Sequence, residues 1–128
     1  MAIKRYGAGG TGAGGQPLPF ARAVAANGWL YVSGQVAMEQ GEIVGGGIVA
    51  ESRKAIENLI AILEEAGYGL EDVVRVGVWL DDPRDFWSFN GVYAEYFGEN
   101  PPARACVQVC RLADPAWKVE VAVQAARN

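Results

Sequence analysis

Histidine is absent from the 128 residues of the chain, which removes the commonest general base, the commonest zinc ligand and any Ser-His or Cys-His nucleophilic pair. Chemistry must then rest on carboxylates, Arg, Cys, Tyr, backbone groups or water. The two cysteines, Cys106 and Cys110, lie roughly 13 Å apart if one strand carries both, beyond disulfide reach, so they read as free thiols. With no basic partner fixed beside it, Cys106 reads as a small filler rather than a nucleophile. Arg104 and Glu120 are the opposite charges of most interest. A guanidinium keeps its charge and presents a rigid donor fork, and a partly desolvated carboxylate can hold or pass a proton. Each also has a plain structural reading, Arg104 as an ion-pair partner at an interface and Glu120 as a solvated strand residue.

The elements that must position these groups follow from periodicity and turn chemistry. Residues 7–15 form a glycine-rich opening in which Gly10, Gly12 and Gly15 satisfy the bare dinucleotide spacing. The following Gln16-Pro17-Leu18-Pro19 cannot open a helix to cradle phosphate, so residues 1–18 read as a loop segment. Two short strands are predicted between Ala21 and Ser33, hinged at Asn27-Gly28, a favoured two-residue hairpin turn. Gly41 and Gly45-Gly46-Gly47 around Glu42-Ile43-Val44 suggest loops flanking a short edge strand. From Ala50 to Ala66, Ile56, Leu59, Ile60 and Leu63 recur at helical spacing, and Gly67 ends the run. Val73 to Leu80 reads as a strand. Asp82-Pro83 then opens a second helix bearing Phe86, Phe89, Tyr93 and Phe97, stopped by Gly98. Two alternating strands, Ala105 to Val109 and Val119 to Ala125, follow around the turn-rich Leu112-Ala113-Asp114-Pro115 and are predicted to form a hairpin. The order β-β-(β)-α-β-α-β-β is that of a single α+β domain spanning 1–128, a mixed sheet with two helices on one face.

Strand alternation sorts the side chains. Val74, Val76 and Val78, with Val107, Val109, Val119, Val121 and Val123, make the face expected beneath the helices. The opposite face is expected to collect Arg75, Gly77 and Trp79, then Arg104, Cys106 and Gln108, then Glu120, Ala122 and Gln124. Trp79 and Cys106, joined by Trp29 and Tyr31, would leave an apolar patch in water, which predicts a homo-oligomer packed through the sheet. A hairpin turn near Asp114 sets Gln108 opposite Glu120, placing Arg104 roughly 13 Å from Glu120 within one chain, too far to share a small ligand. If subunits meet on this face, Arg104 of one can approach Glu120 of its neighbour, and the interface becomes the pocket. Trp79, Trp87, Phe86, Phe89 and Phe97 read as core or interface packing.

Composition narrows the partners. The net charge is −4, and no long basic run exists to neutralise a phosphate backbone, so nucleic acid is not expected. No apolar stretch approaches the roughly 20 residues of a membrane span, and no signal-type apolar core follows Met1-Ala2-Ile3-Lys4, so a cytoplasmic protein without a membrane partner is expected.

Several segments, in order, resemble the RidA/YjgF family: Tyr31-Val32-Ser33-Gly34-Gln35, Ser52-Arg53-Lys54-Ala55-Ile56-Glu57-Asn58-Leu59, Asp85-Phe86 with Asn90, and the string Tyr93 to Cys106 with its Pro101-Pro102-Ala103-Arg104-Ala105-Cys106. The resemblance runs from about Pro19 onward. It implies a chorismate-mutase-like fold assembled as a homotrimer, with sites between subunits and neither metal nor organic cofactor. It implies an imine and enamine deaminase, converting 2-imino acids of the 2-iminobutanoate and 2-iminopropanoate type to 2-oxo acids and ammonia. Arg104 would grip the substrate carboxylate and Glu120 would position or activate water. Backbone near Gly34 and Cys106 would complete the cleft, with Ser33 and Asn90 lining it. Three departures bear on the substrate: Phe20 stands where the best-known members carry Tyr, Leu18 stands where Gly is common, and the loop between the last strands is one residue longer. Phe20 in the predicted cleft can stack but cannot donate a hydrogen bond.

Two related readings stay open on the residues. One is a non-catalytic trimer that binds small carboxylate metabolites, and the other is a deaminase of a pathway-specific aminated diacid such as 2-aminomuconate. A ribonuclease, a name also attached to this family, fits poorly with an acidic chain that lacks histidine.

Overall fold

Alternation of period two builds the centre of the molecule. In the computed structural model, which describes residues 2–7, 10 and 15–128, the last strand, β8 (Val119–Ala126), buries Val119, Val121, Val123 and Ala125 and leaves Glu120, Ala122, Gln124 and Ala126 half-buried on its other side. It is flanked antiparallel by β3 (Trp29–Gln35) and β6 (Val73–Leu80) in a six-stranded sheet. Outside β3 lie β2 (Ala23–Ala26) and β1 (Ile3–Tyr6), and outside β6 lies the edge strand β7 (Ala103–Gln108), parallel to it. The order is β1-β2-β3-β8-β6-β7.

The β2–β3 hairpin forms at Asn27-Gly28, whose φ values of 54° and 85° give the left-handed pair that a two-residue turn needs. A β-carbon on Gly28 would also press on the Arg127 carbonyl oxygen. The residues 36–47 do not supply an edge strand to this sheet. They fold as a separate ribbon of β4 (Met38–Glu39) and β5 (Glu42–Ile43). Strand β1 was not among the elements that the sequence pattern predicts. Ala8, Gly9 and Thr11–Gly14 of the glycine-rich opening lie outside the described residues, as does Met1.

Both helices cover one face, giving the expected α+β architecture. Helix α1 (Ile48–Glu65) turns Ala55, Ile56, Leu59, Ile62 and Leu63 onto the sheet. At its end Gly67, at φ 84°, lets the Tyr68 amide donate back to the Leu63 carbonyl at 2.8 Å. Helix α2 (Phe86–Phe97) buries Phe89, Val92, Tyr93 and Phe97. Asp82 starts the turn before it by accepting from the Arg84 amide at 2.9 Å.

Two expectations about register are overturned. First, β7 and β8 do not pair as a hairpin, because β6 lies between them. The Asp114 turn exists, with the Ala116 amide donating to its carboxylate at 2.8 Å. Residues 109–118 nevertheless carry the chain across to the slot between β3 and β6. Second, β7 presents the opposite face from that predicted. Arg104 stands beside Val76 and Cys106 beside Val78, on the helix side, while Ala103, Ala105 and Val107 face the open side with Trp79. As an edge strand lying under α2, β7 can direct a long cationic side chain along the helix and leave its small residues outward. A bulge between Val73 and Arg75 likewise puts Val73 in the core and leaves Val74 42% exposed.

The open face of the sheet carries Trp29, Tyr31, Trp79, Ala105, Val107 and Ala122. Trp79 leans over Gly77, where a β-carbon would sit 3.1 Å from the indole. Tyr31, Trp79, Ala105, Val107 and Ala122, with Arg75 and Gln124, border an open depression of about 380 Å³. Val107, at 49% exposure, takes the place on this patch that the sequence pattern assigns to Cys106.

Candidate functional site

The predicted site residues form two groups on opposite sides of the sheet. The first surrounds Glu120. Strand β3 loses regular register between Val32 and Gln35, and within that bulge the Glu120 carboxylate lies over Gly34 so closely that a β-carbon there would run into it. Glycine is thus required by the carboxylate, and the backbone opens where the side chain is missing. Ser33 fixes the bulge to the preceding segment. Its hydroxyl donates to the Ala21 carbonyl at 2.6 Å and its amide donates to the Arg22 carbonyl at 2.9 Å. Phe20, the neighbour of Ala21, is 55% exposed beside this group. Among the described residues no donor or cation engages the Glu120 carboxylate. Burial alone pushes its pKa up.

The second group surrounds Arg104. Its guanidinium carbon lies 4.7 Å from the ring centre of Tyr93 and 5.8 Å from those of both Phe86 and Phe89. These three residues recur at helical spacing on α2, and Asn90 falls on the same strip, four residues after Phe86 and three before Tyr93. No carboxylate among the described residues pairs with Arg104, so the rings hold the cation and leave its N–H donors for a ligand. Tyr93 is stacked on Phe97 at 4.6 Å, its buried hydroxyl has no hydrogen-bond partner, and burial pushes its pKa up to about 12. Cys106 packs against the core with its thiol pKa raised by burial, which outweighs the opposing pull of Arg104. A raised pKa keeps it protonated, in keeping with the packing role expected for it.

Within one chain the two groups cannot act on one small molecule. Arg104 stands beside Val76 and Glu120 beside Trp79. That is three residues and two strand spacings, roughly 14 Å, with the side chains on opposite faces. The conclusion drawn from the predicted hairpin therefore survives for a different reason. The shared face expected for Arg104, Cys106 and Glu120 does not. Sequence reasoning assigned Phe86 and Phe89 to packing, gave Tyr93 no role, and so missed the ring cradle around Arg104, although the i, i+3, i+7 spacing of the three beside Asn90 marks a single strip.

Among the described residues no cluster of three or more Asp, Glu or Cys side chains is arranged to hold a metal, and no helix is long and apolar enough to cross a membrane. The family model described as endoribonuclease L-PSP matches residues 15–127. A RutC family protein of Pyrococcus horikoshii is 49% identical over 96 residues, 73% of this chain and 76% of that protein. The human 2-iminobutanoate/2-iminopropanoate deaminase is 40% identical over 96 residues, 73% of this chain and 70% of the human one. Among solved structures, yeast Mmf1 superimposes with a TM-score of 0.86 at 30% identity, covering 99% of this chain and all of Mmf1. A YjgF-family protein of Neisseria meningitidis gives 0.84 at 28% identity, covering all of this chain and 97% of its own.

Proposed function

We propose that this chain, which belongs to the RidA/YjgF family, is a cofactor-free cytoplasmic deaminase that hydrolyses 2-imino acids and their 2-enamino tautomers to 2-oxo acids and ammonia. Its site is completed between the subunits of a homotrimer. The observation that carries this reading is the pair of unmatched charges. Among the described residues, Arg104 is held on three rings with no carboxylate, and Glu120 is lodged over Gly34 with no cation. The chain keeps them apart, and its open apolar face supplies a surface through which copies can bring them together.

In the assembled site Arg104 of one copy takes the planar carboxylate of the substrate through two parallel hydrogen bonds. Glu120 of the next copy accepts a proton from a water molecule as the water oxygen bonds to the imine carbon. That proton passes to nitrogen to give a carbinolamine; its hydroxyl proton then reaches the nitrogen by way of Glu120, the C–N bond breaks, and ammonia departs as the C=O bond forms, with no net oxidation. Proton transfer of this kind accounts for roughly two to four decades of rate. Gly34 and Cys106 contribute backbone to the cleft, and Ser33, Asn90 and Phe20 line it.

The test is 2-oxo acid formation from imines generated in place by an amino-acid oxidase. Arg104→Ala should lower kcat/KM at least 100-fold, mostly through KM, and Glu120→Gln should act mostly through kcat. Acceleration absent from the wild-type trimer, with 2-oxo acids still bound, would convert the reading to that of a carboxylate binder.

A further inference from the structure

Beside the Arg104 strip lies a second concavity that shares Cys106 with the proposed reaction cleft and is otherwise lined by residues the proposed chemistry does not use. Leu80, Pro83, Phe86, Trp87, Cys106, Val107 and Gln108 enclose an open cleft of about 320 Å³ at the start of α2 and the end of β7. Its walls are mainly apolar. Phe86 borders both this cleft and the Arg104 guanidinium, and Cys106, two residues along β7 from Arg104, faces into it. Anything gripped by Arg104 therefore has the cleft as its immediate neighbour, roughly one two-residue strand repeat, about 6–7 Å, away.

Trp87 is the informative residue. It sits in the first turn of α2, meets Phe86 edge to face at 5.2 Å, and is 79% exposed. Phe89, two residues on, is fully buried, so α2 sends one aromatic into the core and holds another out against the cleft. An indole left in water beside an anion grip gains apolar contact only when something fills the space between it and Leu80. A methyl or ethyl group would leave most of that space to water, each molecule of which takes about 30 Å³. Small-molecule pockets of about 300–1,000 Å³ are ordinarily filled by far larger groups.

We infer that this cleft is the side-chain subsite for the 2-imino acid held by Arg104, and that with Trp87 as its wall it selects substrates with a bulky apolar side chain, branched or aromatic, over alanine-derived ones. The inference rests on the deaminase reading for its substrate, but not on turnover for its test. A carboxylate held at Arg104 points its Cα substituent along β7 toward Cys106 and Phe86. A side chain with a branched or ring-shaped end then inserts between Trp87 and Leu80. A charged end meets only Gln108 among the polar lining residues, so acidic side chains are disfavoured.

Two measurements on the oligomer decide this. In the first, kcat/KM is compared for imines generated from phenylalanine, leucine and alanine. The wild type should favour the first two by about ten-fold or more, and Trp87→Ala should reduce that ratio by about ten-fold. In the second, calorimetric titration compares phenylpyruvate with pyruvate, and the same substitution should erase the preference for phenylpyruvate. A wild type that prefers the alanine-derived imine, or an unchanged ratio in Trp87→Ala, overturns the subsite. If no imine is hydrolysed but phenylpyruvate binding still depends on Trp87 and Arg104, the deaminase reading fails and the subsite stands. Trp87 buries little of its surface in the fold, so its replacement should leave thermal unfolding unchanged, and Trp87→Phe, which keeps an aromatic wall, should restore most of the preference.

Discussion

Gly34→Ala isolates the placement of Glu120 from its chemistry. The added methyl is compatible with the backbone, since Gly34 is not among the residues with positive φ. It nevertheless falls 2.8 Å from Cδ and 3.0 Å from Cγ of Glu120 and closer still to the carboxylate oxygen. Contact at carbon requires about 3.5–4.0 Å, so the carboxylate must swing away by roughly 1 Å. Because the obstructed group is the end of a flexible side chain, the stability cost should stay near the low end of overpacking, about 1 kcal/mol. That corresponds to a fall of roughly 3–5 °C in Tm for a domain of this size. Displacing a proton-transfer group by 1 Å costs about 100-fold in rate. The assay is kcat for imine hydrolysis alongside thermal unfolding, in Gly34→Ala, Glu120→Gln and the double variant. If both substitutions act on one carboxylate, the double variant should be no slower than Glu120→Gln alone. Full activity in Gly34→Ala, or additive losses in the double variant, would refute the argument that Gly34 exists to seat Glu120.

Three further outcomes follow from the geometry. Burial raises the pKa of Glu120, so kcat/KM should fall with acidification through an inflection above the ordinary glutamate value. The folded chain also binds that proton more tightly than the unfolded one. The stabilisation is complete below the unfolded-state pKa and is lost as pH rises through the raised one, so Glu120→Gln should gain stability relative to wild type from acid toward neutral pH, as urea titrations would record. Trp79→Glu puts a charge on the open sheet face and should yield a folded monomer by sedimentation and circular dichroism, with activity reduced at least ten-fold; an intact active trimer would remove that face from the interface. Gly28→Ala must hold φ near 85° and meet the Arg127 carbonyl, and should cost about 2 kcal/mol or more in denaturant unfolding, with the midpoint rather than the slope moving.

The local elements were legible because local rules write them. Asn27-Gly28 fixes a hairpin, Gly67 ends α1, and the period of two in Val119 to Ala125 places β8 in the core. Pairing was less legible. The Asp114 turn looks like a hairpin turn, and only burial on both flanks of β8 puts that strand in the middle, where β7 cannot reach it. The face of Arg104 was misread for a related reason. Val107 in the edge strand and Val109 just beyond it carry the apolar signal, but a strand edge need not turn them inward, and it is the aromatic strip of α2 that draws Arg104 to the helix side. The bulge at Ser33-Gly34 was not read from the sequence, because its cause is a contact with a residue 86 positions away in the chain.

Residues 119–126 are the last strand of the sheet to be translated, yet they occupy its middle. Until they leave the ribosomal exit tunnel, β3 and β6 have no common neighbour, and the inner surface of α1 lacks the row of valines it closes upon. A nascent polypeptide halted before Val119 would therefore expose two unpaired inner edges at once, the kind of template that invites intermolecular sheet formation. Closure of the sheet accordingly waits for β8, and the protein should depend on holding factors during translation more than a sheet assembled in chain order would.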